Sequence, residues 1–148
     1  MKNFDNIQLI RPDKRYFRQY KEMMDEWNME GSRIAPWPLH MKYHTEQFFR
    51  EMLGASNLRH YLTEEGKKTW GHIGYGIRPS RRNRGYAARL LRLTLQEAKG
   101  MKLDKVYLGA YEGNIGSWKV MEKCNARFEN RVIEEETGLP IKRYSIDL

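Results

Sequence analysis

Apolar residues recur at helical spacing early in the chain. Tyr16, Tyr20, Met23, Met24 and Trp27 fall on one face and predict a helix over residues 14–30. Asp13 is suited to cap it, and Gly31 and Ser32 break it. Ahead of it, residues 7–11 read as a short strand that Pro12 ends. Ala35-Pro36-Trp37-Pro38 is a rigid loop. A second helix is predicted over 45–53, with Phe48, Phe49 and Met52 inward. Residues 54–62 and 70–77 read as strands on either side of a polar turn at 64–68. The second of these carries glycines at 71, 74 and 76, and glycine inside a strand marks a bulge or a close backbone approach. A third helix is predicted over 86–99, with Ala87, Leu91, Leu95 and Ala98 on one face and Gly100 as its stop. A strand at 105–110, a fourth helix at 115–124 begun by Gly113-Asn114, and a hairpin of 128–133 with 141–146 around Gly138-Leu139-Pro140 complete the chain. This order predicts an α+β (α/β-mixed) fold with a mainly antiparallel sheet, in one domain over 1–148.

Composition narrows the function classes. The 148 residues are 40% hydrophobic and 31% charged with mixed sign, which suits a packed core. No run of 18 apolar residues occurs, so no membrane span is expected. The first residues lack the apolar run of a signal peptide, and a cytoplasmic protein is the simplest expectation. A single cysteine, Cys124, excludes an internal disulfide and reads as an apolar filler at a helix end. His40 and His44 read as surface loop residues, and no histidine pair has metal-ligand spacing, so no metal is expected.

The net charge of +8 points to an anionic partner. Arg78, Arg81, Arg82, Arg84, Arg89 and Arg92 lie within fifteen residues with no acidic residue among them. Clustering at one turn suits a compact polyanion, whereas nucleic acid calls for basic residues spread over a surface with stacking aromatics. A glycine-rich strand here runs through an arginine-rich turn into a helix. Helix-start amides and the helix dipole bind anions. Gly85 permits a tight turn, the small Ala87 lets a phosphate approach, and Arg82 and Arg84 add charge. A solvated basic turn is the plain alternative.

Arg82-Asn83-Arg84-Gly85-Tyr86-Ala87 resembles the pyrophosphate motif of the GNAT superfamily of N-acetyltransferases: glutamine or arginine, two residues, glycine, one residue, then glycine or alanine. The block from His72 to Ser80 (His-Ile-Gly-Tyr-Gly-Ile-Arg-Pro-Ser) is similar to a group of GNAT acetyltransferases. So are Asn57-Leu58-Arg59-His60, Asn114-Ile115-Gly116-Ser117, Phe128-Glu129-Asn130 and Arg143-Tyr144-Ser145-Ile146. The resemblance covers 54–148 well and the first helices more loosely. It implies the GNAT fold, acetyl-CoA as donor and direct transfer to a primary amine of a small molecule or peptide. Tyr75, Gly76 and Ile77 would hold the pantetheine arm, with a backbone N–H near Ile77 facing the developing oxyanion. Asn114 and Ser117 match the second cofactor motif. In such folds the strand at 70–77 and the strand at 105–110 run parallel and splay apart.

Two departures from the family stand out. Met121 occupies the place of the tyrosine that often serves as acid for the departing thiolate. A strand and turn between the second helix and Gly54 are missing, so the sheet is expected to be one strand short. Strand 7–11 would then leave an edge that a second copy could cover, giving a homodimer. His72 takes the place of a frequent glutamate and is the candidate base; a histidine hydrogen-bonded for structure is the alternative. Arg59 and His60 are candidates for the acceptor site, and Trp37 for its wall. A noncatalytic CoA-binding protein on a degenerate GNAT scaffold is the competing function.

Overall fold

The computed structural model describes residue 9, residues 14–31 and residues 54–148. The strand expected at 7–11 (Leu9 apart), the helix expected at 45–53, the shortened junction ahead of Gly54 and the side chains of Trp37, His40 and His44 lie outside the described residues. The edge invoked for a homodimer lies there too. In chain order, a 3-10 turn at Lys14–Tyr16 leads into α1 (Phe17–Glu30). Then follow β1 (Gly54–Leu58), α2 (Glu64–Lys68), β2 (Ile73–Ile77), a 3-10 turn at Pro79–Arg81, α3 (Tyr86–Gly100), β3 (Lys105–Tyr111), α4 (Ile115–Lys123), β4 (Arg127–Ile133) and β5 (Pro140–Asp147). β1 and β2 form a two-stranded sheet; β3, β5 and β4 form a second, in that order. Contacts group the chain into two units, residues 1–57 with 75–93 and residues 58–74 with 94–148.

In the first unit the stripe read from the sequence is the core. Met23 and Trp27 are buried, and Tyr16, Tyr20 and Met24 pack against them. Gly31 ends α1 in the left-handed region at φ 68°. Its N–H donates to the Trp27 and Asn28 carbonyls at 3.1 and 3.3 Å, which satisfies the last turn. α3, whose residues from Thr94 on belong to the second unit, is set slightly differently from expectation. Ala88, Leu91, Thr94 and Ala98 are its buried residues, whereas Ala87 and Leu95 are half-buried. Its turn-out also comes later. Gly100 is still helical, and Lys102 takes the left-handed conformation at φ 61°.

In the second unit both strand pairs are antiparallel, with Val106 opposite Ile146, Leu108 opposite Tyr144, and Phe128 opposite Tyr144. β3 buries Val106, Leu108 and Ala110 at alternate positions, the period-two pattern of a strand with one covered face. β4 is the sheet edge and is largely exposed, with an irregularity between Phe128 and Asn130. The hairpin closes through the Gly138 N–H to the Glu134 carbonyl at 2.8 Å and the Glu134 N–H to the Leu139 carbonyl at 2.9 Å.

Two strands are shorter than expected. The strand read at 54–62 stops at Leu58, and the turn at 64–68 is the helix α2. Thr63 caps α2, its Oγ1 accepting from the Gly66 N–H at 3.0 Å. Glu64 and Glu65 start it and Lys67 and Lys68 end it, which complements the helix dipole. The strand read at 70–77 begins at Ile73, because the residues before it cross against β3 in a single antiparallel bridge, Gly71 to Leu108. This departs from the parallel, splayed relation that the resemblance implies, at least at residues 70–72.

The glycines of that bridge explain it. Gly71 has φ +71°, and a Cβ there would lie 2.1 Å from the Tyr107 carbonyl oxygen. A Cβ on Gly109 would lie 2.4 Å from the Thr69 carbonyl oxygen. Only residues without side chains allow two backbones this close. Gly109→Ala should therefore lower unfolding free energy by about 1–3 kcal/mol in urea titration. Gly113→Ala, where a Cβ meets nothing within 4 Å, should stay within about 0.5 kcal/mol of the parent. Equal stability of the two variants would contradict the close approach.

Candidate functional site

The arginine-rich turn is built on α1. Glu26 accepts from the Arg78 Nε at 2.9 Å and from an Arg78 terminal nitrogen, while the Ser80 N–H donates to its other oxygen at 3.1 Å. Glu30 accepts from the Arg82 Nη1 at 2.8 and 2.6 Å. The Arg82 Nε donates to the Ile77 carbonyl at 3.1 Å, and its guanidinium lies 5.9 Å from the Trp27 ring centroid. Arg82 is thus held by a carboxylate and a carbonyl. The sequence reading gave its charge to a phosphate; the structure gives it first to Glu30. Arg78 is likewise neutralised by Glu26.

Three arginines of the cluster stand apart. Among the described residues Arg81, Arg84 and Arg89 have no carboxylate partner. The Arg89 Nε is buried with no hydrogen-bond acceptor, a costly state for a charged group. Between these arginines the backbone folds tightly, with Asn83 at φ 58° and Gly85 at φ 89°. The first helical bond of α3 runs from the Arg89 N–H to the Gly85 carbonyl at 3.3 Å. Backbone turns of positive φ ahead of a helix start gather N–H groups toward an anion. Asn83, Arg84 and Gly85 are exposed, and Tyr86 and Ala87 are half-buried. The donor set and the small residue at 87 fit a diphosphate. On β2, Tyr75 and Ile77 are buried and Gly76 is half-buried.

The second unit holds the other candidates. His72 lies one residue before β2 and is buried, with 7% exposure. Its N–H donates to the Tyr107 carbonyl at 2.7 Å, and its Nδ1 accepts from the Tyr107 N–H at 3.0 Å. The ring lies against Tyr107, centroids 5.9 Å apart. Burial pushes the His72 pKa below its usual value, and the charges of His60 and Arg59 push the same way. A neutral ring whose Nδ1 accepts carries its proton on Nε2. His72 therefore presents a donor, and the base role read from the sequence lacks a vacant lone pair. Arg59 touches the same segment: its N–H donates to the His72 carbonyl at 2.8 Å and its Nη1 to the Gly71 carbonyl at 3.1 Å. Exposed His60 stacks on Tyr61 at 4.6 Å.

Asn114 is the N-cap of α4, its Oδ1 accepting from the Ser117 N–H at 3.3 Å. The two residues of the second motif are thus bonded to one another. Met121 is buried, with 2% exposure. Cys124 is buried at the end of α4.

A profile of the acetyltransferase (GNAT) domain matches residues 9–127. The chain belongs to the GNAT acetyltransferase family. A GNAT-family acetyltransferase from Bacillus anthracis is similar over 64% of this chain and 58% of its own, with 27% identity and a TM-score of 0.53. The putative acetyltransferase yncA from Salmonella typhimurium, determined with acetyl-CoA, is similar over 65% of this chain and 58% of its own, with 13% identity and a TM-score of 0.55. Part of the NatC complex, determined with Gag peptide and CoA, is similar over 94% of this chain and 96% of its own, at 11% identity and a TM-score of 0.59. The likenesses at 13% and 11% identity show the fold. This chain thus spans about three fifths of the length of the Bacillus and Salmonella proteins. No curated protein matches.

Within this GNAT fold the sequence reading missed the acidic half of the arginine turn. Glu26 and Glu30 are four residues apart on α1 and so share a face, but nothing in the sequence ties that face to a turn some fifty residues later. It also missed the orphaned Nε of Arg89. No helix among the described residues is long and apolar enough to cross a membrane.

The acidic brace has a pH signature. The Arg78 hydrogen bond, foremost, lowers the Glu26 pKa from the usual 4.5 to about 2. A lowered carboxylate pKa contributes stability above its unfolded value, and that stability is lost as pH falls through the folded value. The window here is pH 4.5 to 2. The full shift corresponds to about 3 kcal/mol, and partial exposure reduces it to about 2 kcal/mol. Urea unfolding of the parent and Glu26→Gln at pH 7 should differ by about that amount, with the gap closing toward pH 2. A gap that stays constant with pH would contradict the ion pair.

Proposed function

We propose that the chain is an acetyl-CoA-dependent N-acetyltransferase whose acceptor is a primary amine of a small molecule or peptide. The observation that carries this reading is the turn at residues 82–87. Its positive-φ backbone leads into α3 beside three arginines that have no carboxylate partner among the described residues, one with a buried orphaned Nε. In this reading Asn83, Arg84, Gly85, Tyr86 and Ala87 hold the pyrophosphate with Arg81 and Arg89, and Arg82 shapes the turn from behind. The backbone of Tyr75, Gly76 and Ile77 takes the pantetheine arm. The N–H near Ile77 faces the developing oxyanion, and the bond from Arg82 to the Ile77 carbonyl keeps that peptide fixed. In the second unit, Asn114 and Ser117 match the second cofactor motif as a capped helix start. Acetyl-CoA supplies a thioester carbonyl that an amine can attack.

His72 enters this proposal as a positioning donor. Its Nε2–H orients the acceptor, and the amine arrives already neutral, having lost its proton to water. A second reading, CoA binding without turnover, is favoured by Met121, whose thioether is packed in the core and donates no proton.

Calorimetry should show CoA binding that weakens as salt rises. Gly85→Val should reduce it by at least about tenfold, since a β-branched residue does not adopt φ 89°. Unchanged affinity would sink the site assignment. Thiol release with an amine panel separates the two readings, because binding without release favours the noncatalytic one. For His72, a glutamine keeps an N–H donor and an alanine does not. His72→Gln should retain most turnover, and His72→Ala should lose roughly 10–100-fold. A pH–rate profile that loses activity below pH 6 in the parent but not in His72→Gln would restore the base role.

A further inference from the structure

Arg59 has an unusual setting for an arginine. It is half-buried, and burial pushes its pKa down. One of its five N–H donors reaches the Gly71 carbonyl. Among the described residues no carboxylate pairs with it, and no other acceptor takes its Nε or Nη2. A half-buried guanidinium without a counter-ion bears part of a desolvation cost, and an arriving anion relieves it.

Its surroundings add N–H donors and a second guanidinium. His60 follows it in the chain, and His72 is tied to it by the backbone bond. The Arg143 guanidinium lies 5.7 Å from the centroid of Tyr107, the ring that His72 packs against. Three carboxylates of this unit have partners of their own: Glu64 with Lys67, Glu129 with the Ser145 hydroxyl, Glu134 with Tyr111 and Thr137. A polycationic acceptor would meet the like charge of Arg59, which no carboxylate among the described residues is bonded to.

We propose that Arg59, with His60 and the Nε2–H of His72, binds a carboxylate carried by the amine acceptor, so that the acceptors are peptides or amino acids with a free acid group. The amine part of this inference rests on the acetyltransferase reading; the carboxylate part does not.

The test uses the full chain saturated with CoA and labelled with 15N at histidine. The probes are glycylglycine and glycylglycinamide, β-alanine and β-alaninamide, spermidine, and inorganic phosphate. The acids should shift the His60 and His72 ring signals saturably, and the better acid should bind at least about tenfold more tightly than its amide. Arg59→Gln should bring that preference to about one. Arg59→Lys keeps the charge but lacks the planar fork, and should leave an intermediate preference; it decides the matter if the glutamine variant does not fold. His60→Ala should weaken the acids a few-fold without changing the melting temperature.

Amides binding as well as acids, spermidine binding best, phosphate binding as tightly as the best acid, or no acid moving the ring signals would each overturn the carboxylate site. So would an undiminished preference in Arg59→Gln. Thiol release is followed in parallel. Acid binding without release would support the carboxylate site while counting against acetyl transfer.

Discussion

Residues 69–72 and β3 approach so closely that neither Gly71 nor Gly109 could carry a side chain. This contact sets the geometry of the second unit around His72. It brings the Tyr107 N–H to the His72 Nδ1 and the Tyr107 carbonyl to the His72 backbone N–H, so ring and backbone of His72 are each held by one polar group of the same neighbour. It also presents the Gly71 carbonyl to Arg59. The tautomer of His72, the donor it offers and the position of a half-buried guanidinium all follow from two missing side chains.

The first unit depends on charge placement in a comparable way. Six arginines in a short stretch would repel one another and the turn would be loose. Glu26 and Glu30 neutralise two of them, and both bonds are directed at the start of the turn. Arg82 then reaches back to the Ile77 carbonyl and covers Trp27. What is left is the positive-φ backbone of Asn83 and Gly85, with exposed Arg84 and half-buried Arg81 and Arg89 beside it in the chain. A motif that looks uniformly basic in sequence divides into two braced arginines, Arg78 and Arg82, and three, Arg81, Arg84 and Arg89, that have no carboxylate partner among the described residues.

Much of the fold was legible because its signals are local. The stripe of α1, the β3 alternation and the Gly138 turn need only spacing and turn chemistry. α2 was read as a polar turn: Thr63 followed by acidic and then basic residues suits a helix, yet five residues lack the length that makes helical periodicity visible. The premature end of β1 and the late start of β2 were not legible, since the bend at 59–61 and the bridge at Gly71 are tertiary outcomes. The site divides along the same line. The arginine-rich turn at 82–87 is a chain-local motif and stood out. The role of His72 depends on which atom of a residue thirty-five positions away meets its Nδ1, and no sequence pattern carries that.

The chemistry that remains constrains the acceptor from a second direction. In the proposed chemistry, with Nδ1 engaged and Nε2 protonated, His72 takes no proton from an ammonium. The amine must then arrive neutral, and its own pKa governs how often it does. At pH 7 an α-amino group of pKa about 7.7–8.0 is neutral about a tenth of the time, whereas a lysine-like amine of pKa about 10.4 is neutral about 0.04% of the time. The difference is two to three powers of ten in reactive acceptor, larger than a single charged hydrogen bond supplies. Under the proposed chemistry the electrostatics of Arg59 select for an acid group and the occupied His72 selects for a weakly basic amine. A peptide with a free N-terminus and an acid group meets both conditions. A polyamine meets neither, since each of its nitrogens is protonated at pH 7 and each adds like charge beside Arg59.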